Sequence, residues 1–151
     1  MHQDSVSVLR DFNEIFKAMQ APAVLRVGFD IVQISRIGES LERFGEAFTR
    51  RLFTDQEITD VTEAQELNRP SLAARFAAKE AVIKALGLSE AGVGWRDIEV
   101  LRHQDGHCEL RLHGQGASRA CDMGLRQWHL SLSHEGDYAG AVVIGSSGGA
   151  A

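Results

Sequence analysis

The sequence predicts an α+β fold, a mainly antiparallel sheet packed against helices. Two observations carry that prediction. The order of expected elements is strand, a group of helices, hairpin, helix, hairpin, which lacks the regular strand–helix alternation of a parallel doubly wound sheet. The chain is 151 residues long with 44% hydrophobic and 25% charged residues, which suits one globular domain with a sizeable core.

Residues 1–23 read as an extension. Val8, Phe12, Ile15, Phe16 and Met19 recur at helical spacing before Pro22 stops the run. The domain proper spans 24–145. AVLRVGFDIVQI (23–34) is rich in β-branched residues and predicts a mostly buried strand. A helix capped at Ser35 follows, with Ile37, Leu41 and Phe44 as its apolar stripe and Gly45 as its stop. EAFTRRLF continues as a short helix. Thr54 and Glu57 in TDQE form a capping box, opening a helix that runs on through ITDVTEAQEL. Asn68-Arg69-Pro70 breaks it, Pro70 or Ser71 opens the next helix, and Gly87 ends that one. The strands around Asp105-Gly106 predict a hairpin with a two-residue turn. QGASRACDMG is a short helix, and QWHLSLSHEGDYAGAVVIG is a second hairpin turning at Glu135-Gly136-Asp137. Residues 146–151 are a glycine-rich, flexible tail.

Composition excludes some functions. The net charge of −5 argues against a nucleic-acid binder acting through bulk positive charge. No apolar run approaches the roughly 20 residues of a membrane helix. Charges interrupt MHQDSVSVLRDFNEIF, so it lacks a signal-peptide pattern. Cys108 and Cys121 are too few for a disulfide scaffold or a zinc site, and the expected setting is the cytoplasm with reduced thiols.

Three placements of polar residues are unusual. Asp30 lies between Phe29 and Ile31 inside a strand, where a charge is costly unless paired or coordinated. Gly28, just before it, allows a close approach to the backbone. Asp30 could instead cap the helix at 35 or pair with Arg36. Glu80 sits four residues before Lys84, the favourable helical orientation for an ion pair. Yet Leu72, Phe76, Ala77, Ala81, Val82, Ile83, Ala85 and Leu86 leave that helix little wet perimeter. Two carboxylates from separate elements suit Mg²⁺, which takes one or two carboxylates, waters and phosphate oxygens. Arg75 and Lys79, one turn apart, could bind a diphosphate. His134 ends the alternation Trp128, Leu130, Leu132 and reads either as a satisfied core residue or as a group that accepts a proton or contacts phosphate. A nucleophile elbow and a Walker loop are both missing from the sequence.

Taken in order, G-F-D at 28–30, R-F-A-A-K-E-A-x-x-K-A at 75–85 and S-L-S-H at 131–134 resemble the 4′-phosphopantetheinyl transferase superfamily, in its short holo-acyl-carrier-protein synthase type. The resemblance spans about residues 24–145. It implies transfer of the phosphopantetheine arm of coenzyme A to a serine of apo acyl carrier protein, releasing adenosine 3′,5′-bisphosphate. It implies Asp30 and Glu80 as ligands of Mg²⁺, with Mn²⁺ the alternative ion. Arg75, Lys79 and Lys84 would clamp the phosphates of coenzyme A, with His134 beside them. Glu80, a water on the metal or His134 would serve as base. It also implies a homotrimer with sites between subunits, and Arg36, Arg50 and Arg51 as a docking face for the acidic carrier. These arginines read equally as a solvated helix face. Departures from the pattern are the long extension, Glu135 after His134, and the tail. An inactive module that binds coenzyme A or carrier protein is the alternative function, and a Mg²⁺-dependent phosphohydrolase the reading without the resemblance.

Overall fold

The computed structural model describes residues 10, 13–17, 23–89 and 92–148. Most of the expected N-terminal helix, including Val8, Phe12 and Met19, lies outside the described residues. Ile15 and Phe16 are helical and exposed.

The elements in chain order are β1 (Leu25–Gln33), α1 (Ile34–Phe44), α2 (Glu46–Leu52), α3 (Asp55–Val61), β2 (Thr62–Glu63), β3 (Glu66–Leu67), α4 (Arg69–Leu86), β4 (Ile98–Arg102), β5 (Cys108–Leu112), α5 (Gly114–Asp122), β6 (Gln127–Glu135) and β7 (Tyr138–Ser146). The main sheet has the order β1-β7-β6, with both pairings antiparallel. Two smaller antiparallel pairs, β2–β3 and β4–β5, complete the β structure among the described residues. The α+β expectation therefore holds.

Helix α4 organises the core. Asn68 caps its start by accepting from the Ser71 amide, Pro70 occupies the first turn, and Gly87 ends it in the left-handed conformation. Alanines at 73, 74, 77, 78, 81 and 85 are buried, so the helix lies close against its neighbours. The tightest approach is at Gly28 on β1, where a Cβ would sit 1.8 Å from the carbonyl oxygen of Ala81. The close approach expected at Gly28 is thus to the backbone of α4.

Four expectations need correction. Strand β1 is only half buried. Its inner positions are Gly28, Asp30 and Val32, whereas Leu25, Val27, Phe29 and Ile31 face outward and are 56–63% exposed. The large apolar side chains point away from this chain's own core, a reversal that a β-branched run conceals in sequence. Ser35 does not cap α1. The turn of the β6–β7 hairpin does so, with Asp137 accepting from the Ser35 amide at 2.9 Å and the Ser35 hydroxyl at 2.6 Å. The helix opened by the Thr54–Glu57 capping box ends at Val61, not at 67, because residues 62–67 fold back as β2–β3. Finally, the β4–β5 connection spans residues 103–107 rather than two, and Gly106 takes positive φ there while Asp105 does not.

Candidate active site

Twelve residues of α4 are buried, including Arg75 and Lys79. From Phe76 onward the helix leaves open only Phe76, Glu80 and Lys84, spaced at successive fours on one stripe. That stripe faces the inner edge of β1. Asp30, Glu80, Arg36 and Phe76 line one cleft of about 550 Å³, floored by Val32, Ile37 and Phe48. Asp30 comes from β1, Arg36 from α1 and Glu80 from α4, so three elements converge on it.

Lys84 spans α4 and β1. Its ammonium donates to Asp30 at 2.7 Å and to the Phe29 carbonyl at 3.0 Å. Asp30 is 17% exposed and Lys84 54%, so the pair is open to solvent on the lysine side. This partner replaces those weighed for Asp30 from sequence, Arg36 and the start of α1. Asp30 and Glu80 form a hard oxygen donor set from two elements, which suits Mg²⁺ completed by water and phosphate oxygens. Among the described residues, no group of three or more His, Cys, Asp or Glu side chains that could hold a metal ion occurs.

Arg75 lies elsewhere. With Ser71, Arg102, Cys108, Ser133 and His134 it lines a second cavity of about 200 Å³. Arg75 is 3% exposed, and its Nε and Nη2 have no hydrogen-bond partner. Nη2 lies 3.9 Å from Asp60, too far for a hydrogen bond, and Nη1 reaches the Ser71 carbonyl only at 3.4 Å. Burial pushes the guanidinium pKa down, opposed by Cys108, Glu57 and Asp60 in that order. A buried cation with two unused donors is costly unless something supplies acceptors. An anion in the cavity would do so, and His134 stands exposed at its rim.

Lys79 is the main correction to the predicted site. Its ammonium is fully buried and donates to Glu57 at 2.8 Å, to the Trp95 carbonyl at 3.1 Å and to the Ile98 carbonyl. Burial pushes its pKa down, and the charge and hydrogen bond of Glu57 oppose that. All three donors are used inside the core, so Lys79 is not placed to hold a phosphate, nor does it share an open face with Arg75. Glu57 does three jobs. It completes the capping box at Thr54, accepts from the Val100 amide at 3.0 Å and pairs with Lys79, tying α3, α4 and β4 together. The sequence signal was available: an acid in a capping box and a lysine amid buried alanines both needed a partner.

Of the docking arginines, Arg36 lines the carboxylate cleft. Arg50 pairs with Glu46 at 2.9 Å on the exposed face of α2, and Arg51 is exposed beside it. Sequence reasoning passed over His103 and His107, whose rings stack at 4.2 Å in the β4–β5 connection. His103 contacts Glu109 at 2.6 Å and His107 contacts Asp105 at 2.5 Å.

Comparison with known proteins bears on this arrangement. The family model for the 4′-phosphopantetheinyl transferase superfamily matches residues 26–143. The chain belongs to this superfamily. The holo-[acyl-carrier-protein] synthase of Herpetosiphon aurantiacus is 43% identical over 129 residues, covering 81% of this chain and 98% of that protein. The Streptomyces griseus protein of the same name is 45% identical over 121 residues, covering 80% and 97%. Among solved structures, an ACPS–CoA complex from Chronobacterium ammoniagenes superposes with a TM-score of 0.71 at 32% identity, covering 81% of this chain and 96% of that one. The Helicobacter pylori synthase in complex with coenzyme A gives 0.69 at 28% identity, covering 79% and 98%. The chain is therefore an enzyme of the phosphopantetheinyl transferase class.

Proposed function

We propose that this chain transfers the 4′-phosphopantetheine arm of coenzyme A to a serine of apo acyl carrier protein, releasing adenosine 3′,5′-bisphosphate. The observation that carries this reading is the convergence of Asp30 and Glu80 on one cleft, in a chain whose relatives bear the synthase name and include complexes with coenzyme A. Asp30 and Glu80 would hold Mg²⁺, with Mn²⁺ the alternative ion. The ion, when bound, neutralises charge on the diphosphate of coenzyme A.

The remaining work falls to side chains. The serine oxygen of the carrier attacks the phosphorus bonded to the pantetheine arm. The bond from that phosphorus to the bridging oxygen breaks, and the bisphosphate departs with the electron pair. Glu80, or a water it orients, takes the serine proton. Lys84 already lies beside Asp30, and its exposed ammonium donates to a phosphate oxygen once the substrate is bound. Arg36, at the mouth of the same cleft, with Arg50 and Arg51 on α2, presents a basic face to the acidic carrier.

Arg75 and His134 contact another phosphate of coenzyme A. Because they line a separate cavity of the same chain, the complete site combines the Asp30–Glu80 cleft of one subunit with the Arg75–His134 cavity of its neighbour. The outward face of Val27, Phe29 and Ile31 on β1, continued by Val142 and Ile144 on β7, supplies an apolar surface for a homotrimer. No helix among the described residues is long and apolar enough to cross a membrane. The cytoplasm and fatty-acid synthesis are the setting that this chemistry fits.

The test is direct. Protein incubated with apo carrier protein, coenzyme A and Mg²⁺ adds one phosphopantetheine arm to the carrier, read by intact-protein mass spectrometry. Glu80→Gln lowers the rate by about a hundredfold or more, as expected for loss of a group acting at the reacting atoms. Binding of coenzyme A with no gain in carrier mass would instead favour an inactive binding module.

A further inference from the structure

Cys108 shares the Arg75 cavity. It is half-buried on β5, directly opposite Arg102 on β4, and lines the cavity with Arg75, Arg102 and His134. Arg75 reaches this cavity from α4 and Cys108 from β5, so the thiol and the guanidinium border one space. The second cysteine, Cys121, is exposed on α5 and lines no such cavity.

We propose that Cys108 is a modification site for small anionic disulfides, drawn in by the unsatisfied guanidinium of Arg75 and by Arg102, and that the adduct blocks the cavity. An anionic reagent gives Arg75 the acceptors it lacks while its sulfur–sulfur bond comes within reach of Cys108. The Cys108 thiol releases its proton to solvent, and its sulfur attacks one sulfur of the reagent. The reagent's disulfide bond breaks, its other half leaves as a thiolate, and a mixed disulfide remains on Cys108. The reagent is itself the oxidant, so one disulfide replaces another. Free thiol reverses the exchange.

The loss of transfer activity rests on the function proposed above, because it requires that the cavity hold a phosphate of coenzyme A. The labelling itself does not. The full chain is treated at fixed pH with the small dianion 3,3′-dithiodipropionate and, separately, with uncharged bis(2-hydroxyethyl) disulfide, and both cysteines are followed by peptide mass spectrometry. Normalised to Cys121, Cys108 reacts about tenfold faster with the anionic reagent than with the uncharged one, the scale expected of local electrostatic concentration. Inorganic phosphate slows Cys108 and leaves Cys121 unchanged. Arg102→Gln, a substitution at an exposed position, removes most of the preference without disturbing the buried Arg75. Equal preference at the two cysteines, or indifference of Cys108 to phosphate, overturns the site. Transfer activity falls in step with Cys108 labelling, whereas Cys108→Ser keeps its own untreated rate under the same treatment. Labelling without that loss overturns the blockade and keeps the site. A chain that labels as expected but never transfers phosphopantetheine overturns the proposed function alone.

Discussion

Lys79 and Glu57 show how a charged residue can belong to the fold although its sequence neighbours belong to the site. Removing one end of this pair leaves the other charge buried without its counter-charge, which costs about 3–5 kcal/mol. Lys79→Met and Glu57→Gln should each shift the urea midpoint strongly, and the double variant should lose less than the sum of the two. If Lys79 instead held phosphate, Lys79→Met would raise the KM for coenzyme A at unchanged stability. Gly28 is as constrained for a steric reason. A methyl group there meets the Ala81 carbonyl at 1.8 Å, and neither β1 nor the helix backbone can give way cheaply. Gly28→Ala should therefore cost about 3 kcal/mol or more by denaturant unfolding.

At the scale of elements, local signals located most helix ends, and long-range contacts set the exceptions. The Thr54–Glu57 capping box and the Gly87 stop fell where residue chemistry places them, whereas α4 opens at Arg69 behind an Asn68 cap, just before the Pro70 or Ser71 start expected. The start of α1 did not, because its cap is Asp137, 102 residues away from Ser35. The β2–β3 hairpin was also missed, since its turn uses Ala64 and Gln65 at φ 49° and 70°, with no glycine or asparagine to announce it. That choice stores strain. Replacing Ala64-Gln65 by Asn-Gly should stabilise the protein by about 1 kcal/mol in thermal or urea unfolding, because both residues tolerate positive φ. An unchanged midpoint would mean that the turn relaxes without cost.

For the whole molecule, the two halves of the predicted site occupy different cavities of one chain. If neighbouring subunits join them, Glu80→Gln and His134→Ala proteins, each poorly active alone, should complement each other after mixed refolding. Random assortment would restore roughly a quarter of the wild-type sites. No recovery above the separate proteins would sink the shared-site arrangement. Sedimentation of the unmodified chain checks the trimer independently. The exposed row of Leu25, Val27, Phe29 and Ile31 makes an isolated subunit an aggregation hazard along its β1 edge.

The sequence by itself determined the α+β class, the helix limits set by caps and glycines, and the membership carried by Asp30, the RFAAKEA stretch and the SLSH stretch. Those are matters of residue type and spacing, which a linear chain displays. Only the tertiary structure decided which charges serve the fold. It turned Lys79 inward onto Glu57, held Lys84 against Asp30, left Arg75 buried with unused donors, and set Asp30 and Glu80 on one cleft apart from His134. Each of these depends on which elements pack together across tens of residues. A charge on a buried helix is settled by the partner that meets it, and sequence spacing does not record that partner.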